Sequence, residues 1–326
     1  MINIAFAGLR HGHIFALYRE AMKNPEYNVI GAFEENEDAA RAAERFGLIC
    51  NYATLDELLA DERVDAVALG GCYGMRGGYA IKALRAGKHV IADKPLATSL
   101  SELEEIEREA TLSGKLVSCM FTMRYDKKIN GAKKLFESGA LGEIASVYFG
   151  GQHPLQYGRR PDWYFEKDMH GGVINDIAIH GIDALSYAFG IKAEKINGAR
   201  CWNKMAKSEP AFLDCAQLML TAQSGAGVIA DISYAIPDGV EFDLPYYWQF
   251  YIWGTKGVLS FSHNTEGVYY LAGDPEPHAL REVDAGEYLE DFLKMLNGKS
   301  AILPMSDVFA STKKTLEIQS VANQTR

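Results

Sequence analysis

Apolar and polar positions along this chain follow two different rhythms, and the change falls near residue 120. Before it, short apolar runs alternate with stretches whose apolar residues recur every three or four positions. "INIAFAG" leads into an amphipathic stretch at 13–23, and "NVIGAF" leads into "ENEDAARAAERFG", with Gly47 as the helix stop. "TLDELLADE", the buried-looking "VDAVALG" and the helical "GYAIKALRAGK" come next. "HVIAD" then runs into "SLSELEEIEREATLSG", where Ser101 and Glu104 have capping-box spacing and Gly114 ends the helix. "KLVSCM" closes the series. Strands alternating with helices of this length predict βαβ units and a doubly wound parallel sheet.

Beyond residue 120 two helical patterns, near 127–138 and 172–189, give way to consecutive strands. "DCAQLMLTAQ" and "AGVIADISYAI" flank Ser224-Gly225, a hairpin signal, and "YYWQFYIWG" and "GVLSFSH" flank Thr255-Lys256. "GVYYLAG" follows, and a last helical pattern runs from about 305 to 322. Strands without intervening helices predict a large, mostly antiparallel sheet. The aromatic-rich run 246–253 fits either core or a sheet interface, and core is the safer reading. The chain is therefore expected to be α/β, with a dinucleotide-binding domain at 1–120 and a substrate-binding and oligomerisation domain at 121–326.

Composition narrows the partners. The chain has 326 residues, 48% hydrophobic and 23% charged, with 33 Lys plus Arg against 43 Asp plus Glu, a net charge of −10. That balance disfavours nucleic acid and anionic membranes as general partners. Cys50, Cys72, Cys119, Cys201 and Cys215 are scattered without a C-x-x-C pair, which fits reduced thiols and suggests no zinc site. The N-terminus is strand-like rather than signal-like, and no apolar window is long enough to span a bilayer. A cytoplasmic protein is expected.

Three stretches carry candidate chemistry. The first is "AFAGLRHGHIFALY", where a strand ends at Gly8 and a helix opens near Gly12 and His13. Aligned on G-x-G-x-x-G, it offers Gly8, Arg10 and His13, a weak match strengthened by its place in a βαβ unit. Glu34 ends the second strand, where an acidic residue binds ribose hydroxyls, and Glu35 stands beside it. No Arg or Lys follows until Arg41, so NAD is favoured over NADP. The second stretch, "GKHVIADKPLA", puts Lys94 just past a strand end, between Asp93 and Pro95, where an ammonium can polarise a ribose or substrate oxygen. The third, "GGVINDIAIHGIDALSYAFG", spaces Asp176, His180 and Asp183 at i, i+4 and i+7 on one stripe of a largely apolar helix. A hydrogen-bonded structural cluster, a metal site and a carboxylate-oriented acid/base histidine all fit that spacing. No cysteine or further histidine nearby completes a metal set, and the structural role suits Asp183 best.

Together with "MRYDKKINGAKKLFESGALGEI", these stretches resemble the Gfo/Idh/MocA oxidoreductase family over nearly the whole chain. The resemblance implies an N-terminal Rossmann domain and a C-terminal α/β domain with an open antiparallel sheet. It also implies NAD(P)-dependent oxidation or reduction of sugars, inositols and related polyols. Lys94 matches the lysine of the family's E-K-P motif, Asp176 and His180 match its D-x-x-x-H pair, and Arg124 and Tyr125 match a segment bordering the substrate pocket. There are departures. Asp93 replaces a glutamate, Arg10 and His13 replace glycines, and "GGCYGMRGG" replaces a T-P-N-x-x-H pattern, with Arg76 at the histidine. On this footing the cofactor edge comprises Gly8, Arg10, His11, Gly12, His13, Glu34, Cys72, Arg76, Asp93 and Lys94. The substrate pocket adds His153, Tyr157 and Trp163 from "QHPLQYGRRPDWYF".

The expected reaction is hydride transfer between NAD(H) and a secondary alcohol or ketone carbon. His180 would move the hydroxyl proton, Asp176 would set its tautomer, and Lys94 would polarise the same oxygen across a cleft between the domains. A redox-neutral NAD-dependent glycosidase and a non-catalytic sugar- or NAD-binding regulator are the alternatives. A homodimer or homotetramer built through the C-terminal sheet is expected.

Overall fold

A computed structural model describes residues 1–324. They fall into two compact units: 1–120 with 161–171 and 287–312, and 121–160 with 172–286 and 313 onwards.

In the first unit strands and helices alternate as the sequence pattern predicts. The order is β1 (Ile2–Ala7), α1 (Ile14–Lys23), β2 (Tyr27–Phe33), α2 (Glu37–Glu44), α3 (Leu55–Ala60), β3 (Ala66–Leu69), α4 (Tyr73–Arg85), β4 (His89–Ala92), α5 (Leu100–Ser113) and β5 (Val117–Cys119). The strands form a parallel sheet in the order β2-β1-β3-β4-β5. β3 and the last four residues of β1 are wholly buried, as apolar runs covered on both faces must be. The strand order reverses at β1 and β3, and ligands of such sheets bind beyond the strand ends at that point. α5 starts two residues earlier than its capping-box spacing suggests. Ser99 is the N-cap and accepts from the Glu102 N–H, while Glu102 reaches back to the Thr98 N–H. Gly114, at φ 66°, ends that helix as expected.

The second unit opens with a 3-10 turn (Thr122–Tyr125) and α6 (Lys127–Glu137). β6 (Ile144–Pro154), a π-helical turn (Ile174–Ala178) running into α7 (Ile179–Phe189), and β7 (Ala193–Trp202) follow. The remaining strands are β8 (Cys215–Ala222), β9 (Gly227–Ile236), β10 (Gln249–Gly254), β11 (Gly257–Phe261), β12 (Val268–Leu271) and β13 (Asp274–Ala279). Their sheet order is β13-β12-β11-β10-β6-β9-β8-β7, antiparallel except where β6 pairs with β9. Both expected hairpins are present, β8–β9 around Ser224-Gly225 and β10–β11 around Thr255-Lys256. The aromatic run at 246–253 is core only on one face: Phe250 and Ile252 are buried, while Tyr251 and Trp253 point outwards. Strand alternation thus makes one face of the run core and leaves the other on the sheet's outer surface.

The chain then adds α8 (Tyr288–Leu296) to the first unit, and α9 (Met305–Gln324) ends the described residues. Tyr288 is buried and donates to Ser118 Oγ on β5 at 2.6 Å. Among the described residues no helix is long and apolar enough to cross a membrane.

Candidate functional site

The turn after β1 is built on Gly8. Its φ of +73° lies in the left-handed region, and an added Cβ would sit 2.7 Å from the Gly71 backbone. The turn is pinned to β3 by the His11 N–H, which donates to Gly70 O at 2.8 Å. A Cβ at Gly12 would meet nothing within 4 Å, so the approach to the start of α1 is open. An open helix N-terminus at the switch point of a parallel sheet fits the pyrophosphate of a dinucleotide.

The side chains of this turn do not all face a ligand. His11 turns inwards and is buried. Its Nδ1 meets Asp93 Oδ2, and its Nε2 lies 3.1 Å from Tyr73 Oη. Burial pushes the imidazole down to about 3, outweighing the pull of Asp93. His11 is thus neutral at physiological pH. Asp93 is fully buried, and its carboxyl is held well below the usual range by His11, Arg76 and His13 despite desolvation. A carboxylate cannot donate, so the proton sits on His11 Nδ1 and Nε2 accepts from Tyr73. Tyr73 Oη is 2.9 Å from Tyr164 Oη, extending the chain to the 161–171 segment.

Asp93 gathers two further donors, Arg76 Nη2 at 3.1 Å and the Lys94 N–H at 2.7 Å, while His13 Nδ1 lies 3.4 Å from its Oδ1. His11, His13 and Asp93 bring one ligand-type atom each within 4.8 Å of one another, the spacing of a metal triad. With a guanidinium on the same carboxylate and both oxygens taken by N–H donors, the arrangement is chemically a cation-held anion rather than a cation cage. Arg76 is itself fully buried. It donates to Gly71 O, Lys94 O and Pro95 O, so it fixes the turn that carries Lys94. Lys94 is buried, with Nζ 5.8 Å from the Tyr73 ring centroid.

Trp163 packs in the same unit, 4.9 Å from the Tyr73 ring and 6.4 Å from His11. Its buried Nε1 has no hydrogen-bond partner among the described residues. Tyr73, Tyr164 and His170, whose ring lies 5.6 Å from Tyr73, were not candidates from the sequence. They are isolated aromatics whose proximity only the fold creates.

Glu34 lies at the end of β2 as expected, but its carboxylate is engaged. It accepts from the Leu9 N–H, the Asn36 N–H at 2.8 Å and Arg10 Nε at 3.3 Å. Cys72 caps the start of α4, and Arg10 Nη1 donates to its Sγ at 3.7 Å.

In the second unit the helix bearing Asp176 and His180 begins as a π turn. The wider turn replaces the regular 3.6-residue period, and such turns recur at functional sites. Asp176 and Asp183 accordingly engage different partners. Asp176 accepts a hydrogen bond from Tyr234 on β9, while Asp183 accepts from Arg124 Nε and Nη2, each at 2.8 Å. Both members of the Arg124–Asp183 pair are buried, so Arg124 joins the 3-10 turn to α7. Tyr125 is beside it, half-buried. The His180 ring lies 5.8 Å from Trp248, and His153 is ringed by Tyr247 at 5.4 Å, Trp248 at 5.5 Å, Phe242 at 5.6 Å and Tyr234 at 6.4 Å. Gly151 makes room for this wall, since a Cβ there would lie 2.7 Å from the Trp248 indole. The geometry thus gathers His153, Asp176 and His180 among aromatic rings. Tyr157 is instead exposed, hydrogen-bonded to Ser208 and Glu209. Tyr234 and Trp248 are the residues that sequence reasoning missed here.

Two family models match the chain: an oxidoreductase family with an NAD-binding Rossmann fold over residues 2–121, and the GFO/IDH/MocA C-terminal domain over 129–260. The chain belongs to the GFO/IDH/MocA family. Myo-inositol 2-dehydrogenase of Thermotoga maritima is 24% identical over 84% of this chain and 79% of its own length. Levoglucosan dehydrogenase of Pseudarthrobacter phenanthrenivorans is 31% identical over 58% of this chain and 50% of its own. An oxidoreductase of Schizosaccharomyces pombe matches over only 41% of its length, at 31% identity across 46% of this chain. Among solved structures, aldose-aldose oxidoreductase from Caulobacter crescentus superposes with a TM-score of 0.82 at 20% identity, covering 100% of this chain and 98% of that one. At that identity the likeness carries the fold.

Proposed function

We propose that the protein is an NAD(H)-dependent oxidoreductase that interconverts a secondary alcohol and a ketone on a sugar, inositol or related polyol. The observation that carries this reading is that Asp176, held by Tyr234, and His180, beside Trp248, are both buried on one helix, with His153 among the Trp248 and Tyr247 rings. Aromatic faces and a proton-moving histidine suit a ring with one apolar face and many hydroxyls. Relatives named for inositol and levoglucosan oxidation support the substrate class. NAD(H), when bound, supplies the hydride acceptor or donor. His180 takes the hydroxyl proton during oxidation and returns it during reduction. Asp176 orients that imidazole, and Lys94 supplies positive charge at the dinucleotide edge. Gly8, Gly12 and the start of α1 hold the pyrophosphate, with Asp93 fixing the turn through His11 and His13.

The test is a purified-protein screen of sugars and inositols with NAD and NADP, read as NAD(P)H absorbance. Turnover confined to one ring class is the expected result. Failure to turn over any substrate, together with failure to bind NADH, rejects the reading.

A further inference from the structure

Arg10 occupies the second glycine position of the dinucleotide turn, and its side chain reaches the end of β2. Nε lies 3.3 Å from Glu34 Oε1 and Nη2 lies 2.9 Å from Glu35 Oε1. The sequence places no cation after β2 before Arg41, yet the fold brings one there from the neighbouring strand's turn. Glu34 and Glu35 play unequal parts. The Glu34 side chain is 1% exposed and accepts two backbone N–H groups besides Arg10, tying the β1 turn to the β2 end. A carboxylate so engaged has little capacity left for two ribose hydroxyls. The Glu35 side chain is 45% exposed and can swing into water. Tyr79 faces the same cluster, its phenol pushed up to about 12 by burial and by Glu35 and Glu34.

We propose that Arg10 and Glu35 form a displaceable ion pair that sets the choice between NAD and NADP, with Glu34 as the residue that aims Arg10. This rests on the reading above that this edge binds a dinucleotide. With Glu35 in place, Arg10, Glu34 and Glu35 sum to one negative charge, which repels a dianionic 2′-phosphate and leaves NAD preferred. Without the Glu35 charge, the guanidinium offers a planar two-pronged donor matched to phosphate.

Fluorescence titration with NADH and NADPH tests this without any substrate, on the wild type, Glu35→Gln, Arg10→Gln and the double variant. Wild type is expected to prefer NADH. Glu35→Gln should raise the NADPH-to-NADH affinity ratio by about tenfold or more, the worth of one charge-assisted hydrogen bond, and the double variant should lose that gain. Glu34→Ala unties the β1 turn from the β2 end and should weaken both dinucleotides, whereas loss of a direct ribose contact alone would spare NADPH. A Glu35→Gln ratio within about twofold of wild type, or a gain that survives loss of Arg10, overturns the ion-pair assignment. A wild type that binds neither dinucleotide overturns the cofactor reading beneath it.

Discussion

Asp176 illustrates how a partner, rather than a spacing, decides what a carboxylate does. The sequence places Asp176, His180 and Asp183 on one stripe, and the first two match a family pair. Nothing in the chain's order, however, points to Tyr234, more than fifty residues on, as the donor to Asp176. Asp183 is read as structural from the sequence, and its buried Arg124 partner agrees with that. Two outcomes follow from the proposed roles. His180→Ala should lower turnover by roughly 10² to 10⁴ while leaving NADH affinity nearly unchanged, the usual contribution of a positioned acid/base group. Steady-state kinetics beside NADH titration measures both, and near-native turnover in the folded variant removes His180 from the reaction. Tyr234→Phe keeps the ring packing and deletes the hydroxyl that donates to Asp176. It should reduce kcat by about tenfold and move the pH-rate profile, since Asp176 gains freedom to exchange its partner. An unmoved profile would make the Tyr234–Asp176 bond structural only.

At the scale of elements, the alternation of apolar runs and helical stretches made the parallel sheet legible, and Gly114 marked a helix end that the structure reproduces. The hairpins at Ser224-Gly225 and Thr255-Lys256 were legible for the same reason, because local turn chemistry and strand patterning agree. The π turn at 174–178 was not. A single-turn widening leaves the apolar pattern almost untouched. Nor does local sequence reveal which charges an element buries against another. Glu20 on α1 accepts from the Leu289 N–H at the start of α8, and burial with Glu287 and Glu290 nearby raises its pKa to about 7. Its folded value therefore lies above the ordinary 4.5, so the protonated form suits the fold. The stability this gives is fully present below about 4.5 and is lost as pH rises through about 7. Glu20→Gln keeps an acceptor for Leu289 and removes the charge. Thermal scans at pH 5 and pH 8 should show the variant gaining a few degrees in Tm over wild type at the higher pH only. An equal or lower Tm for the variant at pH 8 would refute the buried-charge cost.

At the scale of the whole molecule, the second unit's sheet presents two very different faces. On one, Phe149, Phe250 and Phe261 stack in sequence, with ring separations of 6.2 and 4.9 Å, and Phe149 packs closely beside Gly181 of α7. On the other, strand register lines up Met219, Ile229, Tyr148 and Tyr251 across β8, β9, β6 and β10. Two residues further along the same face, Trp253 continues through Val258 to Tyr270 on β12. Met219, Ile229 and Trp253 are each more than half exposed, at 51%, 54% and 53%. Scattered apolar residues on a surface need no explanation, but a contiguous band across most of a sheet is the mark of an interface. An apolar sheet face can pair with the same face of a second copy about a two-fold axis, the commonest symmetry of soluble oligomers. The chain's net charge of −10 makes such an association depend on apolar burial rather than on general electrostatic attraction. We therefore expect a homodimer or homotetramer joined through these sheets, measurable by light scattering at micromolar concentration. Ile229→Lys and Trp253→Lys should shift the mass towards that of one chain while leaving the thermal transition of the first unit in place, because both side chains lie outside the core. Raising salt should not dissociate the wild type, since screening leaves apolar burial intact. A wild-type mass equal to one chain across the concentration range, or an oligomer untouched by both lysine substitutions, would rule out this face as the interface.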